Sequence, residues 1–234
     1  MNPAILISTF QRREWLAYLL AKRLLRECPG CEIYIGSDGV SSSRKFRVVN
    51  AQSTWYHVMS AALHEIENDG YDSVFLIMED HYPNDRIDFK RVWEIAGLGF
   101  ASGASQVVFP SYEYDKSWST HFDDQFDDFS HRSSLMPSVY LIKELRVILE
   151  KMQEGGEYDP WSFETTLNSL HLVAHYGYPC SKDGLFNHGY IDLTNLRMAI
   201  KGANFNEALA LMVHSVLRDF PRKALRKFTK KSTV

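Results

Sequence analysis

Apolar residues follow two rhythms in the first half of the chain. Short continuous runs at Ala4 to Ser8, Glu32 to Gly36 and Gln106 to Phe109 read as strands. Between them Trp15, Leu16, Leu19, Leu20, Leu24 and Leu25 recur at helical spacing. The stretches Trp55 to Ile66 and Asp88 to Ala101 do the same, and Pro29-Gly30 and Asn68-Asp69-Gly70 supply stop signals. Strand, helix and strand joined by short connections make the opening of a parallel sheet. The run from Ser73 to Met78 is too short to cross a membrane and suits a strand buried on both faces. Glu79, Asp80 and His81 follow it at once. Ligands in open α/β sheets bind beyond the carboxyl ends of the strands, so this stretch is the candidate centre of the molecule.

The alternation breaks after Pro110. Ser111 to Ser134 is polar and aromatic and reads as irregular, with Asp123 to Asp128 as a mobile solvated lid in preference to a site for a cation or a basic partner. Helical spacing returns from Pro137 to Met152. Asp159-Pro160-Trp161-Ser162-Phe163-Glu164 then opens one more helix, with proline in its first turn. Tyr176 to Cys180 and Tyr190 to Leu193 read as short strands, and Asn206 to Leu217 as a helix. The expected fold class is α/β: a mostly parallel central sheet flanked by helices, with a helical C-terminal part.

Composition narrows the class. The 234 residues are 45% hydrophobic and 24% charged, the profile of a soluble globular protein with a sizeable core. The aromatic share, 13%, suits a cleft that stacks against rings, although core filling is the plainer use. No basic segment precedes the first apolar run, so no signal peptide is expected. Three cysteines, an odd number, argue against a disulfide framework and fit a reducing cytoplasm. Cys28-Pro29-Gly30-Cys31 has the spacing of a redox dithiol but follows a helix end, and reads as a turn. His171 and His175, read as four apart on a helix, lack the glutamate of zinc hydrolases and are assigned to packing or to the acceptor side.

Net charge is −3, unevenly spread. From Arg218 to Lys231 there are seven Lys/Arg against one Asp, which leaves an acidic body unsuited to nucleic acid. In that tail Leu217, Phe220, Leu225 and Phe228 interleave with the cations. Such a segment suits the face of an anionic membrane, each cation contributing about 1 kcal/mol, with a solubilising tail as the plainer alternative.

Several pieces together resemble a family of bacterial glycosyltransferases with the A-type nucleotide-diphospho-sugar transferase fold. They are the first strand with Ser8-Thr9, the strand ending Tyr34-Ile35-Gly36-Ser37-Asp38, and Trp55 heading a helix that leads to Val74 through Tyr82. To these are added Ser134-Leu135-Met136-Pro137 through Leu149, Asp159 through Glu164, and Gly189-Tyr190-Ile191 followed by Ile200-Lys201-Gly202. The resemblance implies a nucleotide-diphospho-sugar donor bound by residues 1–110 and a glycan or lipid-linked acceptor bound by residues 111–205 of the same domain. Residues 206–234 form the C-terminal helix and basic tail. It also implies inverting sugar transfer to a hydroxyl in cell-surface polysaccharide or lipopolysaccharide synthesis, in the cytoplasm or at the inner membrane face.

The acidic motif of such enzymes carries carboxylates at its first and third positions around a divalent metal. Here the third position is His81, which suits manganese better than magnesium. The site expected is therefore Glu164 as the catalytic base, Asp80 and His81 at a manganese or magnesium ion, and Ser8, Thr9, Asp38, Glu79, Asp80 and Trp161 around the donor. Plainer roles stand beside these: Thr9 as a helix cap, Asp38 as a turn residue, Glu164 as a favourable charge in a first helical turn, and Arg12, Arg13 and Lys201 as solvated cations. A nucleotidyltransferase and a catalytically silent sugar-nucleotide binder or scaffold are the rival readings. The first normally shows a glycine-rich loop after the first strand, which Thr9-Phe10-Gln11-Arg12 lacks.

Overall fold

The computed structural model describes residues 1–39, 42–51, 53–111, 120–121, 123–128, 134–166, 170–180, 184–187 and 190–215. Strands β1 (Pro3–Thr9), β2 (Ile33–Ser37), β3 (Arg47–Asn50) and β4 (Ser73–Met78) alternate with helices α1 (Glu14–Glu27), α2 (Trp55–Asn68) and α3 (Phe89–Ala101). Then come β5 (Gln106–Val108), β6 (Thr120–His121), β7 (Phe126–Asp128), β8 (Ser138–Leu141), α4 (Ile142–Glu154), α5 (Pro160–Thr165) and β9 (His171–Ala174). A hairpin of β10 (Phe186–Asn187) and β11 (Tyr190–Ile191), helix α6 (Leu193–Gly202) and a helical stretch over 205–215 complete the described chain.

Nine strands form one sheet in the order β3-β2-β1-β4-β8-β5-β9-β7-β6. β8 pairs antiparallel with both β4 and β5, and β7 antiparallel with β9 and β6, so seven of the nine strands run one way. The sheet is mostly parallel, as expected. Its strands bury both faces. Ile5, Ile7, Ile33, Ile35, Phe75 and Ile77 enter the core beneath α1 and α3, while Ala4, Leu6, Tyr34, Val74, Leu76 and Met78 enter the core beneath α2 and α4. That is the period-two signature of strands covered on both sides. Helix α2 answers with Val58, Met59, Ala62, Leu63 and Ile66 on one face, and α4 with Leu145, Ile148, Leu149 and Met152.

Several expectations are corrected. The helix read from Pro137 is a strand up to Leu141, because Val139 and Tyr140 point into opposite cores while β8 threads between β4 and β5. Asp123 to Asp128 is no solvated lid: β7 lies within it, with Phe126 buried against the core and paired with Ala174. His171 belongs to strand β9 and His175 follows it, so the pair is not helical. Tyr176 to Cys180 forms bends rather than a strand, and β11 covers only Tyr190–Ile191. β3, for which the sequence reading held no element, closes one edge of the sheet. Thr9 caps nothing, since its hydroxyl donates to the Phe10 carbonyl. The sulfurs of Cys28 and Cys31 are joined in a disulfide rather than standing as thiols in a bare turn. The basic tail from Arg218 onward lies outside the described residues, whose helices include none long and apolar enough to cross a membrane.

One clasp positions the loop that follows β4. The buried Arg23 guanidinium donates to the carbonyls of Gly202 and Asp85 and pairs with Glu27 at 3.0 Å and Glu207 at 3.6 Å. Gly202 touches the Asn84 backbone so closely that a Cβ would overlap its carbonyl and sit 2.8 Å from its Cα. Backbone cannot swing aside as a side chain can. Gly202→Ala is expected to cost about 1–3 kcal/mol, read as a lowered urea midpoint at unchanged slope.

Candidate functional site

β1 and β4 are parallel neighbours, with Ser8 opposite Met78, so their carboxyl ends emerge together. The ladder runs one step further: the Glu79 amide donates to the Ser8 carbonyl at 3.2 Å. That step carries Glu79 into a place with no solvent exposure. Burial pushes its carboxyl up to about 8, the neighbouring Asp80 charge adds to the rise, and Arg13 opposes it. Arg13, at the entry to α1, sets Nη1 3.1 Å from Glu79 Oε1 and 3.7 Å from Asp80 Oδ2. It is a structural counter-ion, not the merely solvated cation of the plainer reading.

Asp80 is roofed by the far end of the chain. Its carbonyl accepts the Leu185 amide at 2.8 Å, and a Cβ on Gly184 would lie 3.0 Å from both Asp80 Cγ and its carbonyl oxygen. Gly184 has φ +65°, so only glycine suits this crossing on both counts. Asn195 of α6 holds it there by donating to the Gly184 carbonyl at 2.7 Å. Asp-Gly at 183 and 184 was the available signal for this cover, and it was missed.

His81 completes the corner. Burial lowers its pKa against the opposing pull of Asp80, which keeps the ring neutral at physiological pH, and Nδ1 lies 3.6 Å from Asp80 Oδ1. Glu79 Oε2 and His81 Nδ1 are buried without a hydrogen-bond partner among the described residues. Unsatisfied buried donors and acceptors of this kind are costly. A carboxylate pair with a neutral imidazole fits a divalent ion that accepts nitrogen, manganese before magnesium.

The remaining candidates are held by contacts of their own. Asp38 accepts the Gln11 amide, and the Ser37 hydroxyl donates to the Glu14 carboxylate, which fastens the end of β2 to the start of α1. Ser8 is fully buried and its hydroxyl accepts the Trp55 indole N–H at 2.8 Å. The Trp55 ring meets Phe163 edge-on at 5.3 Å. That contact packs α5 against the tryptophan bonded to Ser8 of β1. Glu164 is half-buried and its Oε1 accepts the Leu135 amide at 3.3 Å, which holds the segment leading into β8. Trp161 is 75% exposed, whereas Phe163 is fully buried. Lys201 lies on the exposed side of α6.

No protein-family model matches the sequence, and no curated protein matches it either. Among solved structures it is similar to mannose-1-phosphate geranyltransferase from Thermus thermophilus. The two share 11% identity at a TM-score of 0.50, over 76% of this chain and 75% of that one. What the two share is the architecture, a mostly parallel sheet flanked by helices. Weaker likenesses are to S. aureus TarS (TM-score 0.44, 11% identity, 93% of this chain and 43% of that chain) and to the galactosyltransferase LgtC with donor and acceptor sugar analogues (0.40, 10%, 71% and 67%). At such identities the likeness is one of fold.

Two outcomes test this geometry. Above about pH 8, where Glu79 is ionised, Arg13→Ala leaves it buried without its counter-ion and is expected to cost about 3 kcal/mol. Adding Glu79→Gln should restore most of that loss in a double-mutant cycle followed by urea unfolding. Asp159 caps α5, and its carboxyl is held below the usual range by the Ser162 hydroxyl and then by the amides of Ser162 and Trp161. A depressed folded value means stabilisation above the unfolded pKa that is lost as pH falls through the folded one. Wild-type stability should therefore fall more steeply than that of Asp159→Asn below about pH 4, since asparagine caps without titrating.

Proposed function

We propose that the protein is a glycosyltransferase that moves a sugar from a nucleotide-diphospho-sugar donor to a hydroxyl acceptor with inversion. The observation that carries this reading is the corner where Glu79, Asp80 and His81 meet Arg13 at the carboxyl ends of β1 and β4. Ligands of open α/β sheets bind there, and a divalent ion together with Arg13 would balance the negative charge that a diphosphate brings. Asp80 and His81 would hold a divalent ion, which when bound supplies Lewis-acid compensation of the leaving diphosphate. Arg13 adds a permanent positive charge beside it.

Residues 1–110 carry the donor side, with Thr9, Asp38 and the buried Ser8 framing the nucleoside and Glu79 lining the diphosphate. Residues 111–205 carry the acceptor side. There Glu164 removes the proton from the acceptor hydroxyl as its oxygen attacks the anomeric carbon, and the bond from that carbon to the diphosphate oxygen breaks. A single displacement of this kind inverts the anomeric centre. Trp161, exposed at the start of α5, offers a flat apolar face for a sugar ring or base. The acceptor class is a cell-surface polysaccharide or lipopolysaccharide precursor, and the tail of residues 206–234 serves to hold the enzyme near a membrane-borne acceptor. Nucleotidyl transfer is disfavoured by the tight turn Gln11–Arg13 after β1, which contains no glycine to admit a triphosphate against the backbone.

The test is transfer and donor binding with a panel of nucleotide sugars and Mn²⁺ or Mg²⁺. Wild type should transfer from at least one donor. Glu164→Gln should lose about 10²–10⁴-fold in rate with donor affinity kept. Unchanged transfer in that variant removes Glu164 from the role; no donor binding by wild type removes the activity.

A further inference from the structure

A second group of ligand-type side chains gathers at the opposite side of the sheet. His121 on β6 pairs directly across from Asp127 on β7, and Asp127 pairs with Val173 on β9. Residues opposite one another share a face, as do residues two apart on a strand. His121, Asp127 and His175 therefore come to one face of three adjacent strands. One ligand atom from each lies within 4.8 Å of the other two. His175 Nε2 is 3.1 Å from Asp127 Oδ1, and His121 Nδ1 is 3.9 Å from the same oxygen. Two bonds of roughly 2.0–2.2 Å at a tetrahedral angle place their ligand atoms about 3.3 Å apart, between those two separations.

The orientation of His175 is an independent sign. Its ring Nδ1 lies 3.1 Å from the Asp124 carbonyl, and its amide donates to the Gln125 carbonyl at 2.9 Å. A carbonyl only accepts, so Nδ1 carries the hydrogen and Nε2 is the atom turned toward Asp127. A histidine whose outer N–H is fixed by a carbonyl is the usual support of a metal ligand. A neutral Nε2 and a carboxylate oxygen facing each other are two lone pairs, which need a positive charge between them. A proton serves that one pair; a third donor converging from His121 calls for an ion.

We propose that His121, Asp127 and His175 form a binding site for a zinc-class divalent ion, which clips the β6–β7 edge to β9. Two imidazoles and one carboxylate suit zinc, whereas magnesium and calcium favour all-oxygen sets. His121 is 70% exposed, which leaves a fourth position open to water. The site is separate from the acidic corner: β7 stands four places from β4 in the strand order, about 19 Å at ~4.8 Å per strand. It does not depend on the transferase reading.

The experiment uses the full, tag-free chain, stripped with a chelator and titrated with Zn²⁺ and with Co²⁺ as a spectroscopic probe. Wild type and Asp80→Asn should each bind one zinc per chain at this site, show the visible absorption of tetrahedral cobalt, and unfold at higher temperature with zinc. His175→Gln should lose the cobalt absorption. His121→Ala, a change at an exposed position that leaves the fold intact, should weaken zinc by at least the ~10–100-fold that loss of an outer partner costs. No stoichiometric zinc on wild type, or wild-type binding by His121→Ala and His175→Gln, would overturn the proposal and leave an ordinary histidine–aspartate ion pair.

Discussion

The carboxyl of Glu79 lies out of reach of water, one residue beyond a strand that is dry on both faces. A charge there is costly unless it is paired, and a proton or a cation must answer it. Arg13 is the answer the chain itself provides. Much of the surrounding architecture follows from keeping that pair in place. The end of β2 is fastened to the start of α1 through Ser37, Glu14 and Asp38, which fixes the turn that delivers the guanidinium. The Arg23 clasp and Gly202 hold the loop after His81 from the other side.

A corner built this way joins electrostatics to fold. The same burial that raises the Glu79 carboxyl keeps His81 neutral, so the site combines a proton-hungry acid with an imidazole able to donate a lone pair. An arginine already lies across the two acidic side chains.

How much of this was legible depended on whether the signal was local. β1, β2, β4 and the helices between them carry their own period and stop signals, and they stand within a few residues of expectation. The acidic corner was legible for the same reason: it follows the most apolar strand. β8 was not, because Val139, Leu141 and Ile142 also continue the helical spacing of Leu145 and Ile148, and only pairing with β4 and β5 decides between the two. β7 was hidden by its aspartates, which read as solvated until Phe126 is seen against the core. His175 was set aside because its usual partner was sought four residues away. Its neighbours instead come from two other strands, and no spacing rule spans that distance. Which of Trp161 and Phe163 turns inward was not legible, since a six-residue helix gives too little periodicity to tell the inward ring from the outward one.

The crossing of Gly184 over Asp80 has an effect on how the molecule is assembled. The acids and their arginine lie within the first eighty or so positions in the chain, but the segment that covers Asp80, and the glutamate at 207 that steadies the clasp, come more than a hundred residues later. The place of Asp80 is thereby tied to a segment more than a hundred residues downstream, so the corner is complete only in a chain whose trailing part has docked.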